Sequence, residues 1–257
     1  MPQLDQEITA IKAMKKYPET LSYVGERSLL DRPKVSIVGT RKPSAYTRQY
    51  THEIARALAK RGVVTVSGAA MGVDAMAHLG AGADNTIAVL PSGIDIRYPA
   101  TNRELIVEIE QRGLLLSQFE EGFRATAWSF VLRNELVVAL GDVLVVTEAA
   151  LNSGSMRSVA YAQQMDKDIY VLTQQIGQSR GTQSLLRSGE AKPIYDVEAF
   201  ASRFGIESST QIPKDDFYYF CQQYPTLDNV VEQFGTRVYE AELEGIVSIV
   251  DGLVRLN

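Results

Sequence analysis

Three features of this 257-residue sequence predict an α/β fold around a doubly wound, mostly parallel sheet. From Lys34 to Phe200, short β-branched runs alternate with small-residue turns and helical stretches that end near glycine. Six such runs, each separated from the next by a helical stretch, suggest a Rossmann-like doubly wound order. At 45% hydrophobic and 22% charged residues, the chain can bury a substantial core without metals or disulfides.

Taken in order, residues 1–32 read as one helix and a short strand, an N-terminal extension to a main domain over 33–205. The predicted strands are Val35–Val38, Val63–Val66, Ile87–Leu90, Leu114–Ser117, Val143–Thr147 and Ile169–Thr173. Helices are expected near 44–61, 71–81, 101–112, 126–140 and 155–166. Ser44, Thr101 and Thr126 are candidate N-caps, and Gly62, Gly113 and Gly141 fall where helix C-caps should. A loop with Gly177 and Gly181, a short helix at 182–188, a strand around Pro193–Tyr195 and a helix reaching Phe204 close a Rossmann-like domain.

After Gly205, Glu207 to Gln211 reads as a linker. Three helical patterns follow, near 214–223, 227–234 and 236–245, and then Asp251-Gly252 between two β runs, a strong hairpin signal. Three helices and a hairpin over 206–257 have the outline of a winged helix. Its third helix carries Glu240, Glu242 and Glu244 against Arg237, which favours protein contact or packing over reading a DNA groove.

Formal net charge is −5, and the distribution matters more than the sum. Residues 206–257 hold 3 Lys/Arg against 9 Asp/Glu, which leaves 23 against 22 for the body. A near-neutral body with local basic clusters can accept a phosphate backbone that an acidic tail repels. One cysteine, Cys221, excludes an internal disulfide, and two histidines, His52 and His78, leave little for zinc. No uninterrupted apolar stretch opens the chain, so a cytoplasmic protein without membrane attachment is expected.

Chemistry is expected where the strands end. Gly39-Thr40-Arg41-Lys42 follows the first strand, Ser67-Gly68-Ala69-Ala70-Met71-Gly72 the second, and Asn152-Ser153-Gly154-Ser155 the fifth. In a parallel sheet these turns emerge at one edge, where glycine lets a ligand approach and the next helix offers unpaired N–H groups. That is an anion site. The nucleotide signatures G-x-G-x-x-G and G-x-x-x-x-G-K-[ST] are missing, so no cofactor is expected. Trp128, Phe130, Arg133 and Asn134 share one helix, and spacing alone leaves single-strand stacking and ordinary core packing equally open. Asp74 and His78, four apart, read as a satisfied structural pair rather than metal ligands. Cys221, among Phe217, Phe220 and Tyr224, reads as packing rather than a nucleophile.

Together these motifs resemble the DNA-processing protein A (DprA/Smf) family. The likeness runs from Lys34 to Ile194 through Val38-Gly39-Thr40-Arg41, the Ser67–Asp74 stretch with Ala77-His78, and Ala88–Asp95 leading to Tyr98-Pro99 and Asn102. Phe130-Val131-Leu132-Arg133-Asn134 and Ser153-Gly154-Ser155-Met156 complete it. The resemblance implies a non-catalytic, dimeric protein that binds single-stranded DNA and loads the RecA recombinase in natural transformation. By it, Arg41 and Ser153-Gly154-Ser155 hold phosphates, Phe130 stacks on a base, and Arg133 and Asn134 shape the pocket. The expected contact set is therefore Gly39, Thr40, Arg41, Lys42, Ser67, Gly68, Ala69, Phe130, Arg133, Asn134, Asn152, Ser153, Gly154, Ser155 and Met156.

Three positions depart from that pattern: Ala127, Glu135 and Asn152 stand where basic residues are often found, with Lys42, Arg48, Arg124 and Arg157 as candidates to compensate. The rival reading is a nucleotide-binding or nucleotide-cleaving enzyme of the lysine-decarboxylase-like phosphoribohydrolase type. Such an enzyme needs a glutamate on the helix after the glycine turn, where this chain has Met156, Arg157 and Ser158.

Overall fold

The computed structural model describes residues 3–4, 8–15, 17–206, 215–243 and 246–256. Eight strands form one sheet: β1 (Ser22–Gly25), β2 (Lys34–Val38), β3 (Val64–Ser67), β4 (Thr86–Val89), β5 (Leu114–Ser117), β6 (Val143–Val146), β7 (Ile169–Leu172) and β8 (Lys192–Ile194). Their order is β1-β5-β4-β3-β2-β6-β7-β8, parallel throughout except for β1, which runs antiparallel to β5. Every residue of β2 through β7 is buried, which is why these strands lack a polar alternation.

The helices are α1 (Ala45–Ala59), α2 (Val73–Ala81), α3 (Arg103–Arg112), α4 (Ala127–Leu140), α5 (Gly154–Gln164), α6 (Arg180–Ser188) and α7 (Val197–Ala201). Alternate strand residues serve opposite faces. Val35, Ile37, Val143 and Val145 pack on Ile54 and Leu58 of α1 and on Val73 and Ala77 of α2. Val64, Val66, Leu144 and Val146 pack on Leu136 to Leu140 of α4, Val159 of α5 and Leu185 of α6. Each fully buried Leu, Ile or Val contributes about 1.5–3 kcal/mol, so both faces are needed.

The expected doubly wound sheet is present, with differences at its margins. Among the described residues of the first 32, two 3-10 turns, Thr9–Ala13 and Arg27–Asp31, stand where an α-helix was expected. Ile11, Met14, Leu21 and Leu29 are buried in the main core, and β1 extends its sheet edge. Thr101 does not cap α3; that position falls to Asn102, at the end of a 3-10 turn, Ala100–Asn102. Gly113 and Gly141 are C-caps as expected, whereas Lys60 is the C-cap of α1 and Gly62 closes the turn beyond it with φ +72°.

The winding direction reverses at β2. From there the chain builds β3, β4 and β5 on one side, then returns through α4 to lay β6 against the other edge of β2. In register, Val38 faces Val146, so the turns after β2 and β6 leave the sheet side by side. The splitting of the two turns to opposite faces opens a crevice at this switch point.

A second compact unit spans Ser208–Asn257. It contains α8 (Asp216–Cys221), α9 (Leu227–Phe234), α10 (Arg237–Leu243) and the hairpin β9 (Val247–Val250) and β10 (Leu253–Leu256). Asp251 and Gly252 adopt φ +53° and +74°, the two positive values a type I′ turn requires. Cys221 is fully buried beside Phe217, Val230 and Val254, and burial pushes its thiol pKa up, the opposite of nucleophile activation. The expected linker, the first residue of the first helical pattern and Glu244 lie outside the described residues. No helix among the described residues is long and apolar enough to cross a membrane.

Candidate functional site

At the switch point lies a cleft of about 1020 Å³. One wall is Gly39, Thr40 and Arg41; another is Asn152 to Ser158; the third is the α4 face carrying Ala127, Phe130, Val131, Asn134 and Val137. Spacing of three and four residues places those α4 side chains on one stripe. Gly68, Ala70, Asp74 and Arg133 form the floor.

The walls are tied to one another across the sheet. Thr40 N–H donates to the Glu148 carbonyl at 2.8 Å, and Glu148 Oε2 accepts from Ser44 N–H at 3.0 Å. Val73 N–H donates to the Thr40 carbonyl at 3.1 Å. Gly72, at φ +84°, sits under this loop; a Cβ there would fall 2.5 Å from the Thr40 carbonyl oxygen. Only glycine fits that approach. Helix α5 opens into the cleft with Ser153 as N-cap, its Oγ accepting from Met156 N–H at 3.4 Å. The first-turn N–H groups of Gly154 and Ser155 have no intrahelical acceptor, and they carry the positive end of the helix dipole. Ser158 adds a fully buried hydroxyl without a hydrogen-bond partner among the described residues.

Arg133 is 3% exposed and does not reach for solvent. Its Nη1 donates to the carbonyls of Gly68 and, at 2.8 Å, Val89, while Nε donates to Asn134 Oδ1 at 3.1 Å. It therefore braces the ends of β3 and β4 against α4 and fixes the Asn134 amide in the cleft wall. Burial lowers its pKa to about 10, still fully charged at neutral pH. Asp74 accepts from Ala70 N–H at 3.3 Å, and burial raises its pKa against the pull of Arg133 and Arg41. Arg41 and Arg157 are the exposed cations of the lining. The Arg41 guanidinium lies 4.7 Å from the centroid of the Phe130 ring, and Tyr98 meets that ring edge-on at 5.9 Å.

Of the expected contact residues, twelve line the cleft: Gly39, Thr40, Arg41, Gly68, Phe130, Arg133, Asn134, Asn152, Ser153, Gly154, Ser155 and Met156. Lys42 is exposed outside it. Ser67 and Ala69 are fully buried, the former donating to the Ile37 carbonyl at 2.7 Å. Ala69, at φ +52°, is held by Asn102 Nδ2, which donates to the carbonyls of Ala69 and Ala70 at 3.0 Å each. These two residues lie buried beneath the floor rather than in the lining.

Asp74 and His78 do not pair with each other: each accepts a backbone N–H of the β3–α2 turn, His78 Nε2 taking that of Ala69 at 3.2 Å. Glu135 does not face the cleft either. It is buried and accepts Lys15 N–H at 2.8 Å, so its charge costs the site less than the sequence suggests. Asn152 and Ala127 do line the cleft without charge, and among the compensating candidates Arg157 lines it as well. Met156, Arg157 and Ser158 follow the glycine turn without an acid, and the one carboxylate of the described lining, Asp74, comes from another element. Missed too were Glu148 and Ser158, for which residue type and spacing carry no signal.

His78 leads to a pH prediction. Because Nε2 accepts, Nδ1–H donates to Thr86 Oγ1 at 2.6 Å, and the imidazole is neutral; burial, then Arg133, pushes its pKa down to about 3. In the unfolded chain it protonates near 6.5. Its stabilising effect is thus complete above pH 6.5 and declines as pH falls toward 3, on the order of 1 kcal/mol per pH unit. Asp74, with a raised pKa, acts with the opposite sign, so melting curves of wild type and His78→Gln are compared. The variant is expected to show the shallower acid decline; equal slopes contradict the assignment.

A sequence profile of the family DNA recombination-mediator protein A matches residues 4–205. Protein Smf of Synechocystis sp. is 34% identical over 72% of this chain and 48% of its own, so the chain spans about half the length of that relative. Protein Smf of Escherichia coli is 31% identical over 95% of this chain and 74% of its own. Among solved structures, DNA processing protein A of Helicobacter pylori, which has a described single-stranded DNA binding mode, superposes with a TM-score of 0.77 at 42% identity, covering 79% of this chain and 94% of that one. Every wall of the cleft falls inside the matched segment, and the chain belongs to the DNA recombination-mediator protein A (DprA/Smf) family.

Proposed function

We propose that this chain is a non-catalytic single-stranded DNA-binding protein of natural transformation. One observation carries the reading: an arginine, an open helix N-terminus and an aromatic face converge on one cleft, matching a strand's phosphates and a base. The DNA-binding relatives of the family support it. Arg41, Asn152 and the Ser153–Ser155 turn take phosphates, and Phe130 takes a base. From the family likeness we further infer that it acts in the cytoplasm as a homodimer, protects incoming strands and loads RecA. The domain division is read as 1–32, 33–205 and 206–257, the last a winged-helix-like module that makes no groove contact.

The test is titration with labelled oligothymidine, duplex and mononucleotide side by side. The single strand is expected to bind at least tenfold more tightly than either. Preference for the mononucleotide would favour the phosphoribohydrolase-type alternative. Removing residues 206–257, with 9 acidic against 3 basic residues, should leave most of the single-strand affinity. An isolated 206–257 fragment that binds as tightly as 1–205 would contradict the charge argument.

A further inference from the structure

We propose that Trp128 is a second stacking platform, taking a base of the same single strand as it leaves the cleft over the start of α4. The inference extends the single-strand reading above and rests on it. Ala127, Phe130, Val131 and Asn134 occupy the cleft stripe of α4. Trp128 and Leu132, one turn apart, form the next stripe around the helix, and both are exposed, the indole by 53%. The indole follows the cleft residue Ala127 by one position, about 100° round the helix, so a strand leaving the cleft at Ala127 reaches it by turning about the start of α4.

An exposed tryptophan normally has freedom to move, but this one is pinned. Phe119 meets it edge-on at 5.7 Å and Phe123 at 5.6 Å, and those two rings stack on each other at 4.9 Å. Phe119 is itself 8% exposed, which anchors the cluster to the body of the domain. A rigid, open aromatic face meets a base at little entropic cost. Its indole N–H donates to no acceptor among the described residues, leaving it free for a base or phosphate oxygen. Arg124, exposed and four residues earlier in the chain, adds a cation to the segment that leads into α4. The same loop carries the exposed Glu120 and Glu121, so charge alone does not make this surface attractive to DNA. A base-stacking occupant fits where a phosphate-only one does not.

Trp128 is the chain's single tryptophan, so its fluorescence reports this platform alone. The experiment titrates the full chain with oligothymidines from about 4 to about 16 nucleotides, reading anisotropy of a labelled strand, tryptophan emission and acrylamide access together. Long strands are expected to quench the emission and shield it from acrylamide; strands just long enough to fill the cleft bind without doing either. Trp128→Leu, which keeps an apolar group on the Phe119 and Phe123 cluster, should weaken long strands by about tenfold and leave short ones unchanged, and Trp128→Phe should recover most of the loss. Melting curves show that the variants fold. Long strands that bind with unchanged emission, and equally well to Trp128→Leu, overturn the proposal while leaving the cleft reading intact. No anisotropy change at any length overturns the single-strand reading, and this extension with it.

Discussion

Gly68→Ala is expected to lower the melting temperature by about 6–12 °C, corresponding to about 3 kcal/mol in a domain of this size. A methyl group at that position would overlap the Arg133 guanidinium. Surface arginines swing aside from such a collision. Arg133 cannot do so cheaply, because it is buried and its Nη1 serves the carbonyls of Gly68 and Val89. Displacing it leaves acceptors without a donor, each costing about 1–3 kcal/mol, and a charge without its partners. The brace can be isolated by a double-mutant cycle. Arg133→Leu alone should also destabilise, but Gly68→Ala added to it should cost little, giving a coupling of about 2–3 kcal/mol. Strict additivity would show that the glycine serves some other purpose.

Phe130→Ala is expected to weaken binding of oligothymidine by about tenfold or more, since a base–aromatic stack is worth about 1–3 kcal/mol by alanine substitution. The ring is half-buried, with its edge held by Tyr98 and the Arg41 guanidinium above it. A base stacking on that face takes the place of the guanidinium, which is then released toward a phosphate. Loss of the ring should therefore cost more in an Arg41→Ala background, where no guanidinium has to leave the face, than in the wild type. Melting separates this reading from ordinary core packing, where truncation costs about 3–5 kcal/mol of stability. Weaker binding with near-normal melting is the expected pattern. A variant that melts early yet binds normally when folded would return Phe130 to the core.

Much of this molecule is readable from residue order because a covered parallel sheet imposes a strict grammar. Strands such as Val143–Val146 must be apolar on both faces, and the turns after them must be small where a ligand approaches. Hence three turns at one sheet edge are legible from residue order as an anion site, and the α4 aromatics as a candidate wall. What was not visible depends on partners distant along the chain. Arg133 is a brace only because carbonyls 65 and 44 residues away converge on it. Glu135 is harmless to the cleft because the N-terminal segment brings Lys15 N–H to it across 120 residues. Ser67 and Ala69 belong to a correctly placed turn, yet the local backbone directs them into the floor. Position within a turn was legible, whereas direction was not.

Arg41 is predicted to hold a phosphate of a single strand at the switch-point cleft. That contact is tested most directly by the salt dependence of oligothymidine affinity for wild type, Arg41→Ala and Arg27→Ala, the last altering an arginine that lies over the Tyr23 ring outside the cleft. Each phosphate neutralised on a single strand contributes about −0.7 to the slope of log affinity against log salt. Arg41→Ala is predicted to bind more weakly with a slope shallower by about 0.7, and Arg27→Ala to match wild type in both. Equal losses for the two variants, or an affinity independent of salt, would remove Arg41 from the phosphate site.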